Sequence, residues 1–521
     1  MPPKCEDYDD VPPNASGLIE SMRAHGYTLP TAIADIIDNS IAADSANIWL
    51  NLQWESGNPW ISITDDGSGM GEEELRKAMT LASISPLVDR KPFDLGRFGL
   101  GLKTASFSQA RRLTVVSKTK MTSYAVRRWD LDHLAKPSVK GWQLLKSVHP
   151  KTGRKIEELK KRKRKSGTVV LLEELDRLFN SNRKGDISTA EKHWVNEVER
   201  VRQHLAMVFH RFLSDPSKKG LEIWLNESKI GPWDPFCESV KATQSIASDP
   251  EIFKKRKIET KGYILPHRDS FDPKDKTRSA KLHQAAAGPA GWNAQQGFYL
   301  YRNKRLIIPG DWLGLGPGQH GWKKEEHYKL ARIRVDIPNS MDHEWQIDVK
   351  KSTAIAPPAL KAWLTGLAKT TREKAKEVYA HRGGRPGRKS RQKKDMSQLW
   401  LTKRNADETF NYCIDRKHEL FSALLEVFTD EQKKDLETLL RLIEETVPVQ
   451  RIWIDTADNQ EGVLAPFENE SDAKLKKHIL ICYEALMSSG LKSNAAWDEI
   501  AAFPAFQTQN AKALIGHLIE S

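Results

Sequence analysis

The stretch TAIADIIDNSIAA, residues 31–43, sets the tightest limit on what this 521-residue chain can fold into. Read as a helix, it puts Asp35, Asp38 and Asn39 at i, i+3 and i+4, on one face. Ile33, Ile36, Ile37 and Ile41 take the other sides and demand a core. Two acids and an amide gathered opposite an apolar surface suit a ligand. An amide oxygen suits a hard cation such as Mg²⁺, and a carboxylate one turn away can orient or deprotonate a water. A solvated polar face on an ordinary core helix has the same spacing, so this helix does not decide alone.

Its neighbours supply a frame. Residues 14–26 and 28–44 read as two helices, capped by Asn14 or Ser16 and by Thr28 or Thr31. Residues 46–53 and 59–66 read as strands around a turn at Ser56-Gly57-Asn58. A short amphipathic helix over 72–82, a loop-like stretch over 83–98, a hairpin of 111–119 with 123–131, and a strand over 167–175 follow. Helices laid on one face of a mixed sheet give a two-layer α/β sandwich.

Three further segments carry chemistry. ISITDDGSGM (61–70) is an apolar strand running into Asp65, Asp66, Gly67, Ser68, Gly69 and Met70. Glycines there permit a tight turn, and an Asp held at the strand edge can accept from an amino group; a plain Asp-Gly turn reads the same. DLGRFGLGLKTASFS (94–108) sets Gly96, Gly99 and Gly101, with Arg97, Phe98 and Leu100 between them, before a helix starting near Leu102. Such a segment offers backbone N–H groups to phosphate, and Lys103 and Thr104 follow with a charge and a hydroxyl. Ser166-Gly167-Thr168 is a small polar turn opening the last strand.

Taken in this order, the segments resemble the GHKL superfamily: gyrase B, the ninety-kilodalton heat-shock chaperones, histidine kinases, MutL and MORC. The resemblance covers residues 14–175 and implies a Bergerat-type ATP site with Mg²⁺. It makes Asp35 the general base and Asn39 the Mg²⁺ ligand. Asp65 would read the adenine amino group, Gly67 would turn the chain, and Gly69 and Met70 would line the base pocket. Gly96 through Gly101 would wrap the phosphates, and Thr168 would join the adenine contact. Residues 71–95 would form the lid. The family's base is usually Glu; Asp35 is one methylene shorter, which leaves both hydrolysis and binding without hydrolysis open.

The rest of the chain places this site within a larger machine. Residues 1–178 would be the ATPase domain and 179–380 a transducer-like domain of the ribosomal-S5 type. A basic linker would run over 381–395 and a mostly helical domain over 396–521, with 400–428 read as a strand and a helix. GFYLYRNKRLIIPGDW (297–312) resembles the strand-turn-strand of such transducers. EWQIDVKKSTAIAPP (344–358) resembles the segment that carries a lysine to the γ-phosphate; that lysine would be Lys351, with Lys350 the second choice. The thirty or so residues before the first motif argue against the histidine kinase branch. The absence of a long heptad run and of a cysteine cluster argues for the prokaryotic MORC- and MutL-like layout, a group associated with restriction and phage defence.

Composition enters where partners are concerned. A net charge of +13, with Lys160–Lys165 an unbroken basic run and residues 382–394 a second cluster, suits salt-sensitive, sequence-blind nucleic-acid contact. Solvated loops have the same composition. Sixteen tryptophans, many at strand positions, read as core. Four scattered cysteines make neither a zinc spacing nor a disulfide framework. With no signal peptide and no membrane span in the sequence, a cytoplasmic protein is expected. The leading expectation is an ATP-driven clamp that closes as a homodimer on DNA or a protein partner and then reopens on hydrolysis. Its rivals are a non-hydrolysing ATP-sensing scaffold of a defence complex and a protein-remodelling chaperone.

Overall fold

The computed structural model describes residues 13–81, 101–156, 165–177, 187–215, 220–380 and 399–521, with Asp9. Outside the description lie positions 25, 56, 154, 249, 349, 350 and 352 and, in the last stretch, 405–409, 419–420, 422–424, 426–427, 450–451, 453–466, 468–469, 489, 507 and 521. The chain forms two compact units, 1–385 and 386–521.

In the first unit, helix α1 (Ala15–Arg23) is capped by Asn14, whose side chain accepts from the Gly17 N–H at 2.8 Å. Helix α2 (Leu29–Ala42) begins with a reciprocal Thr28–Thr31 capping box and a proline in its first turn, where no N–H partner is lost. Strands β1 (Asn47–Gln53) and β2 (Trp60–Asp65) form a hairpin. Helices α3 (Glu72–Met79) and α4 (Gly101–Gln109) follow. Then come β3 (Arg112–Lys118), β4 (Ala125–Asp130) and β5 (Gly167–Glu173). These boundaries fall within a few residues of those read from periodicity.

The sheet runs β4-β3-β5-β2-β1-β6-β7, where β6 is Glu222–Leu225 and β7 is Ser228–Lys229. Neighbours are antiparallel except β1 and β6, so the sheet is mixed. Strands β6 and β7 come from beyond residue 178, so the first sheet draws on the segment expected to open the next domain. The isoleucines of α2 pack with Ile48, Leu50, Ile61, Ile63, Leu113 and Val115 on one face. A smaller cluster of Val116, Ile156, Val169 and Leu171 lies apart from that core. Strand β5 is buried along its whole length, which is why it reads as a continuous apolar run. The result is the expected two-layer α/β sandwich.

The second sheet runs β12-β11-β13-β10-β8, with β9 beside β10. Its strands are β8 (Gln244–Ala247), β9 (Glu251–Phe253), β10 (Arg256–Ile264), β11 (Gly297–Arg302), β12 (Arg305–Asp311) and β13 (Ala331–Ile337). The helix Pro358–Ala380 covers it with Leu360, Leu364, Leu367 and Ala368, an α+β arrangement. The helix Ile187–Val208 packs on α2, and its Val201 and Leu205 share one core with Ile36, Tyr299, Tyr301 and Leu306. That shared core brings the β11–β12 hairpin to α2.

The second unit has a hairpin of β14 (Trp400–Arg404) and β15 (Phe410–Ile414), followed by helices Asp430–Glu445, Asp472–Ser488, Ser493–Ala502 and Gln509–Glu520. Its core gathers Leu475, Ile479, Leu486, Ile500 and Phe506. Where a strand and a helix were expected over 400–428, two paired strands stand first, because the alternation over 410–414 has the period of a strand. Among the described residues no helix is long and apolar enough to cross a membrane, and no group of His, Cys, Asp and Glu is arranged to hold a metal alone.

Candidate functional site

Asp65 stands at the last position of β2. The ladder to β5 ends one pair earlier, at Thr64 and Val169, while the ladder to β1 continues to Ile48. At that gap the Asp65 carboxylate takes over from the ladder. Oδ1 accepts from the Gly67 N–H at 3.0 Å and from the Thr168 N–H at 3.2 Å, and Oδ2 accepts from the Ser40 hydroxyl at 3.0 Å. Thr168 is tied to Ser117, hydroxyl to hydroxyl at 2.8 Å, and the Ser117 hydroxyl oxygen also accepts from the Met70 N–H at 2.8 Å. The structure thus brings Asp65, Gly67, Met70 and Thr168 into one hydrogen-bonded cluster. Ser40 and Ser117, which sequence reading did not select, hold it together.

Two glycines make the approach possible. Gly69 has φ +69, and a Cβ there would collide with the Lys118 carbonyl. Gly167 has φ +142, and a Cβ there would collide with the Asp65 carbonyl. Both positions demand a residue without a side chain. The neighbouring Asp66 serves the frame instead. It accepts from the Ala46 and Asn47 N–H groups, both at 2.9 Å, and fixes the β1 entry.

The other end of the site is built on α2. Asp35 and Asp38 are each 2% exposed, in side-chain terms, and share one ammonium, that of Lys351. Lys351 Nζ donates to Asp35 Oδ1 at 3.1 Å and to Asp38 Oδ2. Arg305, at the start of β12, donates from Nε to Asp38 Oδ1 at 2.9 Å. The Tyr27 hydroxyl donates to Asp35 Oδ2 at 2.9 Å. Two carboxylates and two cations are therefore closed together, with side-chain exposures of 9% for Lys351 and 4% for Arg305. Burial raises the Asp35 carboxyl above its ordinary value; Lys351 opposes that shift, Asp38 adds to it and Arg305 opposes it. Burial likewise pushes the Tyr27 phenol upward, with the Asp35 charge adding to it.

Lys351 reaches α2 from a tight loop. Its own φ is +53, a left-handed conformation that costs a long side chain about 1 kcal/mol. Hydrogen bonds among the described residues hold the bend: Lys351 N–H to the Asp348 carbonyl, Asp348 N–H to the Thr353 carbonyl, Thr353 N–H to Asp348 Oδ1, and Ile355 N–H to the Trp345 carbonyl. Trp345 is fully buried, so the loop is anchored on the second core.

Asn39 differs from the acids beside it. It is exposed, and its amide nitrogen donates to the Asp35 carbonyl at 3.1 Å, so the amide oxygen is the atom suited to a cation. Gly101 opens α4 beside Asp35: a Cβ there would meet Oδ2 at 3.8 Å. Thr104 is buried on the same helix, with its hydroxyl 3.4 Å from the Gly101 carbonyl. Lys103 points elsewhere. Its ammonium donates to the Ala78 and Thr80 carbonyls at 2.9 and 3.0 Å, closing the end of α3, and burial lowers it to about 8. Gly96, Arg97, Phe98, Gly99, Leu100 and Lys350 lie outside the described residues, as do most of the lid, 160–164 and 382–394.

Sequence reading put Asp38 on the same helix face as Asp35 but gave it no role beside Lys351, and it did not single out Arg305 or Tyr27. The i, i+3 spacing of Asp35 and Asp38 allows two carboxylates to share one cation, which is the signal for that role. Nothing in the hairpin sequence separates Arg305 from Arg302 and Lys304 beside it.

Residues 27–168 match the family described as histidine kinase-, DNA gyrase B- and HSP90-like ATPases. Over 88 residues, 17% of this chain, the sequence is 31% identical to "ATPase morc-1" of Caenorhabditis elegans, of which the match covers 10%. Over 122 residues, 23% of this chain, it is 30% identical to "DNA mismatch repair protein MutL" of Shewanella loihica, of which it covers 18%. The chain thus spans less than a fifth of each of these curated relatives.

Proposed function

We propose, from the premise that residues 27–168 are a GHKL ATPase domain similar to MORC and MutL, that this chain binds ATP with Mg²⁺ and hydrolyses it to drive a conformational cycle. The observation that carries this is the meeting of Lys351 with Asp35 and Asp38 across two sheets. Asn39, exposed beside buried acids, supplies the amide oxygen for Mg²⁺. Asp65 takes the adenine amino group, with Thr168 and Met70 lining the base. Gly96, Gly99 and Gly101 would give backbone to the phosphates, with Arg97, Phe98, Leu100 and Thr104 contributing beside them.

Bound Mg²⁺ would neutralise charge on the phosphates, and Asp35 would orient the attacking water. Lys351 would leave its carboxylates for the γ-phosphate, freeing Asp35 as base. The loop of residues 346–357 would follow the lysine, so nucleotide state would set the position of the second domain. ATP drives such a change only by binding the closed form better than the open one. The closed form would be a homodimer around DNA, held through residues 160–165 and 382–394, or around a protein partner in a defence complex.

A second reading, an ATP sensor that does not hydrolyse, is favoured by one observation. Asp35 is the shorter acid and already accepts from both Tyr27 and Lys351. The test is ATP turnover by the full chain with Mg²⁺, with and without duplex DNA, beside Asp35→Ala and Asn39→Ala. The clamp requires turnover in the wild type and its loss in both variants; stimulation by DNA would favour DNA over a protein as what it closes on. ATP binding without turnover selects the sensor, and absence of nucleotide binding removes both.

A further inference from the structure

We propose that Arg305 is the counter-charge that allows Lys351 to leave two buried carboxylates for a nucleotide's terminal phosphate. The inference rests on the ATP-site reading above and deepens it. In the structure every oxygen of the pair is taken. Asp38 holds Arg305 on Oδ1 and Lys351 on Oδ2; Asp35 holds Lys351 on Oδ1 and the Tyr27 hydroxyl on Oδ2. The two carboxylates and the two cations balance in a buried cluster.

Moving Lys351 away changes that balance by one charge. With Arg305 in place, Asp38 keeps a cation at 2.9 Å and Asp35 keeps the Tyr27 hydroxyl, so one negative charge remains, beside the incoming Mg²⁺ and phosphate. Without Arg305, two carboxylates one helical turn apart would face each other with no cation between them. Repulsion of that kind is strong where the effective dielectric is low. Lys351 would then be trapped where it now sits.

Arg305 is built to stay behind. Its Nη1 donates to the Leu306 carbonyl of its own strand at 2.6 Å, and its guanidinium lies 4.9 Å from the centre of the Phe209 ring. His204, on the helix that packs against α2, is held neutral beside it by burial and by the arginine's own charge. Arg305 is thus held by the Asp38 carboxylate, the Leu306 carbonyl and the Phe209 ring, while Lys351 hangs on a loop. Arg305 touches no nucleotide in this scheme; it is a positioning residue acting through Asp38.

The test compares binding of ADP and of the β,γ-imido analogue of ATP to the full chain with Mg²⁺, by calorimetry. The wild type should prefer the analogue. Arg305→Gln should keep ADP affinity within about 2-fold and lose about 10-fold of that preference. Arg305→Lys should retain most of it. The double variant Asp38→Asn/Arg305→Gln, which again leaves one carboxylate for one cation, should regain most of what the single variant loses. A packing role would leave the double variant no better than the single, and that result overturns the proposal. So does an unchanged preference in Arg305→Gln, which would leave the ATP reading intact. A wild type that binds neither nucleotide overturns both together.

Discussion

The two ends of the candidate site are made in different ways. The cluster around Asp65 is assembled within one sheet: β2 gives the carboxylate, β3 gives Ser117, β5 gives Thr168, and the nearby α2 gives Ser40. It is held by hydrogen bonds among small polar groups and by two glycines whose neighbours leave no room for a Cβ. The cluster around Asp35 and Asp38 is assembled from helix α2, strand β12 and the loop of Lys351, with Arg305 and Lys351 arriving from some 270 and more positions away in sequence. It is held by charge, in a buried volume, with one member on a loop. On the proposed reading, a cluster of the first kind would be a standing recognition site. In the proposed cycle, a cluster of the second kind would change when a competing anion arrives.

That contrast can be broken at either end. The largest effect is expected at Asp65. Asp65→Ala leaves the Gly67 and Thr168 N–H groups and the Ser40 hydroxyl without their acceptor and removes the proposed adenine contact. ATP and ADP affinity should both fall by about 1,000-fold, about 4 kcal/mol, measured by calorimetry. Equal loss for both nucleotides is the signature of the recognition end; loss confined to ATP would merge the two ends.

Next comes Gly69. Gly69→Ala places a side chain in a left-handed backbone and against the Lys118 carbonyl, and should lower unfolding free energy by about 2 to 3 kcal/mol in chemical denaturation. An unchanged midpoint would show that the turn is free to rebuild.

The smallest effect is expected at Lys103, which sharpens the comparison by standing outside both ends. Lys103→Met should cost about 1 kcal/mol of stability through the two carbonyls it leaves and change ADP affinity little. The wild type should also gain stability as pH rises from about 8 toward the ordinary lysine value, because over that range the unfolded chain holds a proton that the folded chain has lost. The variant should lack that gain. A large loss of nucleotide affinity in Lys103→Met would return the lysine to the phosphates.

The difference between the two ends also decides what could be read in advance. The α2 face, the Asp65 strand end and the Gly167-Thr168 turn are local patterns, and period and turn chemistry reveal them. The sandwich followed from the same patterns. Lys103 was misleading because proximity to a glycine-rich segment suggests phosphate, yet positions two apart on a helix point to opposite sides, so Lys103 leaves the face that Gly101 offers to Asp35. Arg305 was invisible because burial of one arginine in a basic hairpin is a property of the docked sheet, not of the hairpin's sequence. Lys351 could be selected only through a resemblance, since an exposed lysine at the end of a strand reads the same. Ser40 and Ser117 carry no pattern at all; Ser117 matters through Thr168, which the sheet register sets beside it, and Ser40 through Asp65, which the packing of α2 on the sheet brings to it.

The measurement that bears most directly on this account is turnover by Lys351→Ala, set beside its ADP affinity. If the second sheet completes the chemistry and the first sheet holds the base, turnover should fall by about 100- to 1,000-fold while ADP binds within about 2-fold of wild type. Turnover that survives the loss of Lys351, or ADP affinity that falls with it, would contradict the division of the site into two ends.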